Sequence, residues 1–94
     1  MPEVHFVVRW PDGSAQRCYS PSRVIKDYFT PGESYVLTDF VQRSRAALGL
    51  ASERVREKYG YGCAHAALQI EEIERAAGRF DGPDARVRVE AFEE

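Results

Sequence analysis

Val4, Phe6, Val8 and Trp10 stand two residues apart and run straight into Pro11-Asp12-Gly13. No other stretch limits the fold as strongly. A period of two puts these four side chains on one face of a strand, with His5, Val7 and Arg9 on the other. Pro presets φ for the first central turn position, Asp suits the second, and Gly accepts positive φ after them. That order predicts a three-residue hairpin loop with a bulge at Gly13. A second strand then runs from about Ala15 to Tyr19, with Phe6 opposite Cys18 and Val8 opposite Gln16. A two-residue Asp-Gly turn would pair Val7 with Cys18 and move that thiol to the other face. The bulged register therefore predicts a core-facing Cys18.

Helical spacing takes over after Ser20-Pro21-Ser22. Ser20 suits an N-cap and Pro21 the first helical position, where no N–H is needed. With Val24, Ile25, Tyr28 and Phe29 on one side, a short helix is predicted from Pro21 to Phe29. Thr30-Pro31-Gly32 stops it, and Glu33 to Leu37 reads as a connector. Thr38 is the expected N-cap of a long helix, with Asp39 at the positive end of its dipole. Phe40, Ala47, Leu48, Ala51, Val55 and Tyr59 form its apolar stripe, and Gly60 ends it. A second long helix begins near Cys63. Its stripe is Cys63, Ala66, Ala67, Ile70, Ile73, Ala77 and Phe80, and Asp81-Gly82-Pro83 closes it. From Ala85 to Phe92, Val87, Val89 and Ala91 alternate with Arg86, Arg88 and Glu90, which predicts a last strand. The expected fold is α+β: an N-terminal β-hairpin, a short helix, two long antiparallel helices and a C-terminal strand joining a small sheet, with helices on one face.

The chain has 94 residues, enough for one domain over residues 1–94 on the usual scale of roughly 50–200. A net charge of −2 excludes the basic footprint of sequence-independent nucleic-acid binding. The longest apolar runs are three residues, such as Phe6-Val7-Val8. A membrane helix needs about 18. The N-terminus lacks the charged-then-apolar pattern of a secretory signal. Two cysteines make no disulfide framework, so the expected compartment is the reducing cytoplasm.

Cys63 falls near a helix N-terminus, where the dipole and free N–H groups favour a thiolate. Cys18 lies on a strand that could face that helix. The favoured alternative is that both are buried thiols packing as small hydrophobes, as free cysteines commonly do. Tyr59-Gly60-Tyr61-Gly62-Cys63 is unusual, because two glycines let the backbone turn sharply beside a helix start. No Lys-Ser/Thr follows as in a phosphate loop, and a plain helix–helix hairpin accounts for it too. These residues with Arg9 give one candidate ligand site: Cys18, Cys63, Arg9, Tyr59 and Tyr61. His5 and His65 lie far apart and have no further Cys/His pair beside them, so neither a metal nor another cofactor is expected. No GxSxG or HExxH motif occurs, and no catalytic residue can be chosen from the acids.

Charge is unevenly spread. Residues 38–59 hold five basic and three acidic side chains, whereas residues 60–94 hold four basic and eight acidic. Leu50 falls off the apolar stripe of its helix, near Arg43 and Arg54. Leu68 falls off the stripe of the next helix. Two off-stripe leucines and a split charge favour a protein contact, and Leu50, Leu68, Arg43 and Arg54 are the candidate interface. Glu74 borders an apolar face and is expected to pair with an arginine.

Several blocks occur in order: Met1-Pro2-Glu3-Val4-His5-Phe6, Val8-Arg9-Trp10-Pro11-Asp12-Gly13, Cys18-Tyr19-Ser20-Pro21-Ser22, Arg43-Ser44-Arg45-Ala46-Ala47-Leu48, Ala51-Ser52-Glu53-Arg54-Val55-Arg56 and Lys58-Tyr59-Gly60. Together they resemble a family of small bacterial nitrogen-starvation-response proteins known from mycobacteria, over about residues 1–92. Genes of that family stand beside a nitrilase-type carbon–nitrogen hydrolase and other enzymes. The resemblance implies a place in nitrogen metabolism rather than a particular reaction. The leading expectation is a small cytoplasmic accessory protein without catalysis, acting as a homodimer or with an enzyme of its gene cluster. The alternative is a binding protein or minor enzyme for an anionic or thiol-reactive small molecule, with its site near Cys63 and Cys18. Thiol labelling and oligomeric state separate the two.

Overall fold

The turn expected at Pro11-Asp12-Gly13 is present. Gly13 has φ 88° and donates its N–H to the Trp10 carbonyl at 2.8 Å, while Trp10 N–H reaches the Ser14 carbonyl at 2.8 Å. Ser14 N–H also donates to Asp12 Oδ1 at 2.9 Å. This closes a hairpin of β1 (Val4–Arg9) and β2 (Ala15–Ser20) in the bulged register, Phe6 facing Cys18 and Val8 facing Gln16. The computed structural model describes residues 3–62, 64–80, 82 and 84–94. Beyond the hairpin lie α1 (Ile25–Tyr28), β3 (Ser34–Val36), α2 (Leu37–Tyr59), α3 (Ala64–Ala77) and β4 (Arg86–Glu93). The fold is α+β. The strands form one antiparallel sheet in the order β2-β1-β4-β3.

Several local expectations are corrected. Residues Glu33 to Leu37 are not a connector, because Ser34–Val36 pairs with β4 as an edge strand. Three residues are too few for periodicity to register. Tertiary hydrogen bonds hold them instead: Gly32 N–H to Val89 O at 2.7 Å, Val89 N–H to Glu33 O at 3.0 Å and Leu37 N–H to Ala85 O at 3.0 Å. The first helix is only Ile25–Tyr28 and starts from Val24, not from Ser20. Ser20 stays in β2, and its hydroxyl donates to the Ser22 carbonyl at 2.7 Å. Local serine hydrogen bonds thus hold a turn where a cap was expected. Thr38 is not the N-cap of α2 either. The helix leaves β3 directly at Leu37, with Val36 in the cap position and no side-chain cap.

The α2 stripe is as expected from Phe40 to Val55, all buried, but Tyr59 is exposed. Gly60 ends the helix at φ 84°, its N–H on the Arg56 carbonyl. The buried side of α3 is Ala66, Gln69, Ile73 and Ala76, so Ala67 falls outside and a glutamine takes a core position. The expected helix start at Cys63 and the Asp81 and Pro83 stop signals lie outside the described residues. In β4 the pairing shifts from Val8↔Val89 to Val7↔Ala91, which leaves Glu90 as an extra residue. That bulge reverses the alternation, so Phe92 rather than Ala91 comes opposite Phe6.

The core lies between the sheet and the helices. Phe29 packs on Phe6 with ring centroids 6.2 Å apart and on Phe40 at 5.2 Å. Trp10 meets Phe40 edge-on at 5.5 Å and stacks on Phe80 at 6.0 Å. The opposite sheet face carries Arg9 and Arg17, which pair with Glu90 and Glu93 across strands, and Arg88, which pairs with Glu90 along β4. Among the described residues no helix is long and apolar enough to cross a membrane.

Candidate functional site

β2 is an edge strand, and its alternate residues turn their backbone N–H groups away from β1. Tyr19 is one of these. Its N–H donates to Gln69 Oε1 of α3 at 2.9 Å, so the helix closes over the strand edge. The Tyr19 ring lies between both histidines of the chain. It meets His5 at 5.7 Å and His65 at 5.6 Å, each edge-on. His5 stands opposite Tyr19 in the hairpin register, and His65 comes from the first turn of α3.

An open cleft of ≈ 280 Å³ is lined by Tyr19, His65, Leu68, Gln69 and Glu72. Gln69 Nε2 donates to Glu72 Oε2 at 3.5 Å, a long contact. Directly along α3 a second groove of ≈ 380 Å³ is lined by Gln16, Glu72, Arg75, Ala76 and Arg79. Glu72 borders both, so the two adjoin end to end along α3 and together make a trough beside β2. Trp10 Nε1 donates to Gln16 Oε1 at 2.9 Å and orients that amide. Beneath the trough, Cys18 is fully buried. Burial, and then the negative charge of Glu72, push its thiol up to about 12. A thiol held protonated is a poor nucleophile.

The expected ligand residues are dispersed. Cys18 is in the core and Cys63 lies outside the described residues. Arg9 is on the helix-free face of the sheet, bound to Glu90 and to the Gly13 carbonyl at 2.6 Å. Tyr59 and Tyr61 are exposed where α2 turns into α3. Of the expected interface, Leu50 and Leu68 are both exposed. They lie on opposite flanks. Arg45 faces α3 through Glu74 at 3.9 Å. Leu50 is about 140° around α2 from Arg45, and Leu68 lines the cleft beside β2. Arg43 is used within the fold: it pairs with Asp39 at 2.9 Å, donates to the Tyr28 carbonyl at 2.9 Å and covers the Tyr35 ring. Arg54 is exposed on α2.

Reading the sequence missed the pairing of the two histidines around Tyr19. Half of it follows from the bulged register, which already sets His5 opposite Tyr19. The other half needs the position of α3, which no local pattern gives. Among the described residues no group of three His, Cys, Asp or Glu is placed to hold a metal.

The model of one family, described as nitrogen starvation-induced protein NitG, matches residues 5–92. No curated protein and no solved structure matches the chain.

Proposed function

The chain belongs to the nitrogen starvation-induced NitG family, and from that premise we propose that it is a cytoplasmic accessory protein that acts by contact with another protein and catalyses no reaction itself. The observation that carries this reading is the end of the α2–α3 hairpin. Past Val55 the described part of α2 buries nothing. Tyr59 and Tyr61 stand at its tip, 49% and 70% exposed. Aromatic side chains of this kind anchor interfaces, because they bring large area with few rotors. The basic side chains Arg54, Arg56 and Lys58 precede them, so an acidic rim on the partner suits the tip. Candidate partners are a second copy of this chain and an enzyme of nitrogen metabolism, the latter drawn from the gene neighbourhood that the resemblance implies.

Sedimentation of the purified chain, and co-purification from nitrogen-starved cells, test the proposal. The expected result is a dimer or a defined complex, weakened by the double change Tyr59→Ala and Tyr61→Ala. A strict monomer that retains no enzyme of nitrogen metabolism would overturn it.

A further inference from the structure

The trough beside β2 has an order along it. His65, Leu68 and Tyr19 come first, then Glu72, then Arg75 and Arg79 with Gln16 across from them. Glu72 and Arg75 are one helical turn apart and opposite in charge. Among the described residues neither is in an ion pair, and Glu72 takes only the long contact from Gln69 Nε2, so both charges face the trough. Gln16 has its amide oxygen occupied by Trp10, which leaves the NH₂ group to donate. The first part of the trough has one charged residue, a carboxylate, next to aromatic faces and a leucine. That suits a cation with an apolar body. The second part offers two guanidinium groups and an amide donor, which suits a carboxylate.

The geometry points to a binding site for a small zwitterion of the amino-acid type. Its ammonium lies at Glu72, its carboxylate at Arg75 and Arg79, and its side chain rests on Tyr19, His65 and Leu68. A simple anion would meet Glu72, and a simple cation would meet the two arginines. Only a molecule carrying both charges a few ångströms apart uses both halves. The site is separate from the tyrosines of the hairpin tip, so it goes beyond partner contact and fails or stands independently of it.

Titration of the ¹⁵N-labelled chain with L-norleucine tests this, read by amide chemical shifts. The expected result is a saturable shift of the Tyr19 amide and the Gln69 side-chain amide. N-acetyl-norleucine lacks the ammonium and norleucinamide lacks the carboxylate, and each should bind at least tenfold more weakly. Glu72→Gln and Arg75→Gln should each lower the affinity of norleucine by a similar factor. Both residues are exposed, so the folded spectrum survives these changes, and Arg75→Gln decides alone if Glu72→Gln does not fold. No saturable shift at tens of millimolar norleucine would overturn the proposal. Equal binding of norleucinamide would also overturn it, and so would unchanged affinity in Arg75→Gln.

Discussion

Gln69 Oε1 accepts the backbone N–H of Tyr19 at 2.9 Å, and this bond ties the free edge of the sheet to α3. An edge strand otherwise offers its N–H groups to any passing strand. Gln69 is buried, 6% exposed, and its oxygen takes this bond while its Nε2 makes the long contact to Glu72. Replacing it by leucine keeps the volume and takes the acceptor away from a part-buried N–H, at a cost of about 1 kcal/mol. Urea unfolding should show that loss, and hydrogen exchange at the Tyr19 amide should accelerate. An unchanged midpoint with unchanged Tyr19 protection would mean that the edge is closed some other way.

Cys18 should resist alkylation in the native chain. Its thiol is fully buried and raised to about 12. Iodoacetamide labelling near pH 8, followed peptide by peptide, should be roughly a hundredfold slower than in denaturant. The same burial links stability to alkaline pH. The unfolded thiol ionises from about 9.0, and the folded one only near about 12. The contribution is therefore intact below the unfolded value and is lost as pH rises between the two, by roughly 1 kcal/mol per pH unit. The difference in stability between the parent chain and Cys18→Ala should shrink over that window. A constant difference would mean that the thiol ionises normally.

Ser44 sits in the middle of α2, facing the core, and its hydroxyl has no hydrogen-bond partner among the described residues. An unpaired buried hydroxyl destabilises, and alanine is the better helix former. Ser44→Ala should therefore leave stability equal or raise it by up to about 1 kcal/mol. Thermal melting reads this directly, and a loss of that size would show that the hydroxyl has a partner after all.

The legible parts of this chain were those fixed by residues close in sequence. Pro11-Asp12-Gly13 set the hairpin register, and that register buried Cys18 and put His5 beside Tyr19. Gly60 ended α2 through positive φ and a local N–H bond back to Arg56. What stayed hidden depends on distant partners. β3 exists because β4 offers it hydrogen bonds, and its own three residues carry no pattern. Gln69 reads as a surface residue until the strand edge it satisfies is known. The Glu90 bulge is set by how β4 meets β1, so an unbroken alternation from Val87 to Ala91 misplaced Phe92. The trough was illegible for the same reason. Its walls come from β2 and from α3, and no local pattern sets the two side by side.

Glu90 should make the sheet sensitive to acid. Glu90 keeps step with Arg86 and Arg88 on the helix-free face, where the hydrogen bond from Arg9, and then the charges of Arg9 and Arg88, hold its carboxyl below the usual carboxylate range. A carboxyl depressed in the folded state stabilises above its unfolded value, and that contribution is lost as pH falls through the folded one. Glu90→Gln removes it at neutral pH. The two proteins should then differ in stability near pH 7 and converge as pH drops below the carboxylate range. The pair is partly exposed, so molar salt should also narrow the neutral-pH difference by screening. Melting curves over pH and salt check both trends. Parallel curves for parent and variant at every pH would show that Arg9 and Glu90 contribute nothing as an ion pair.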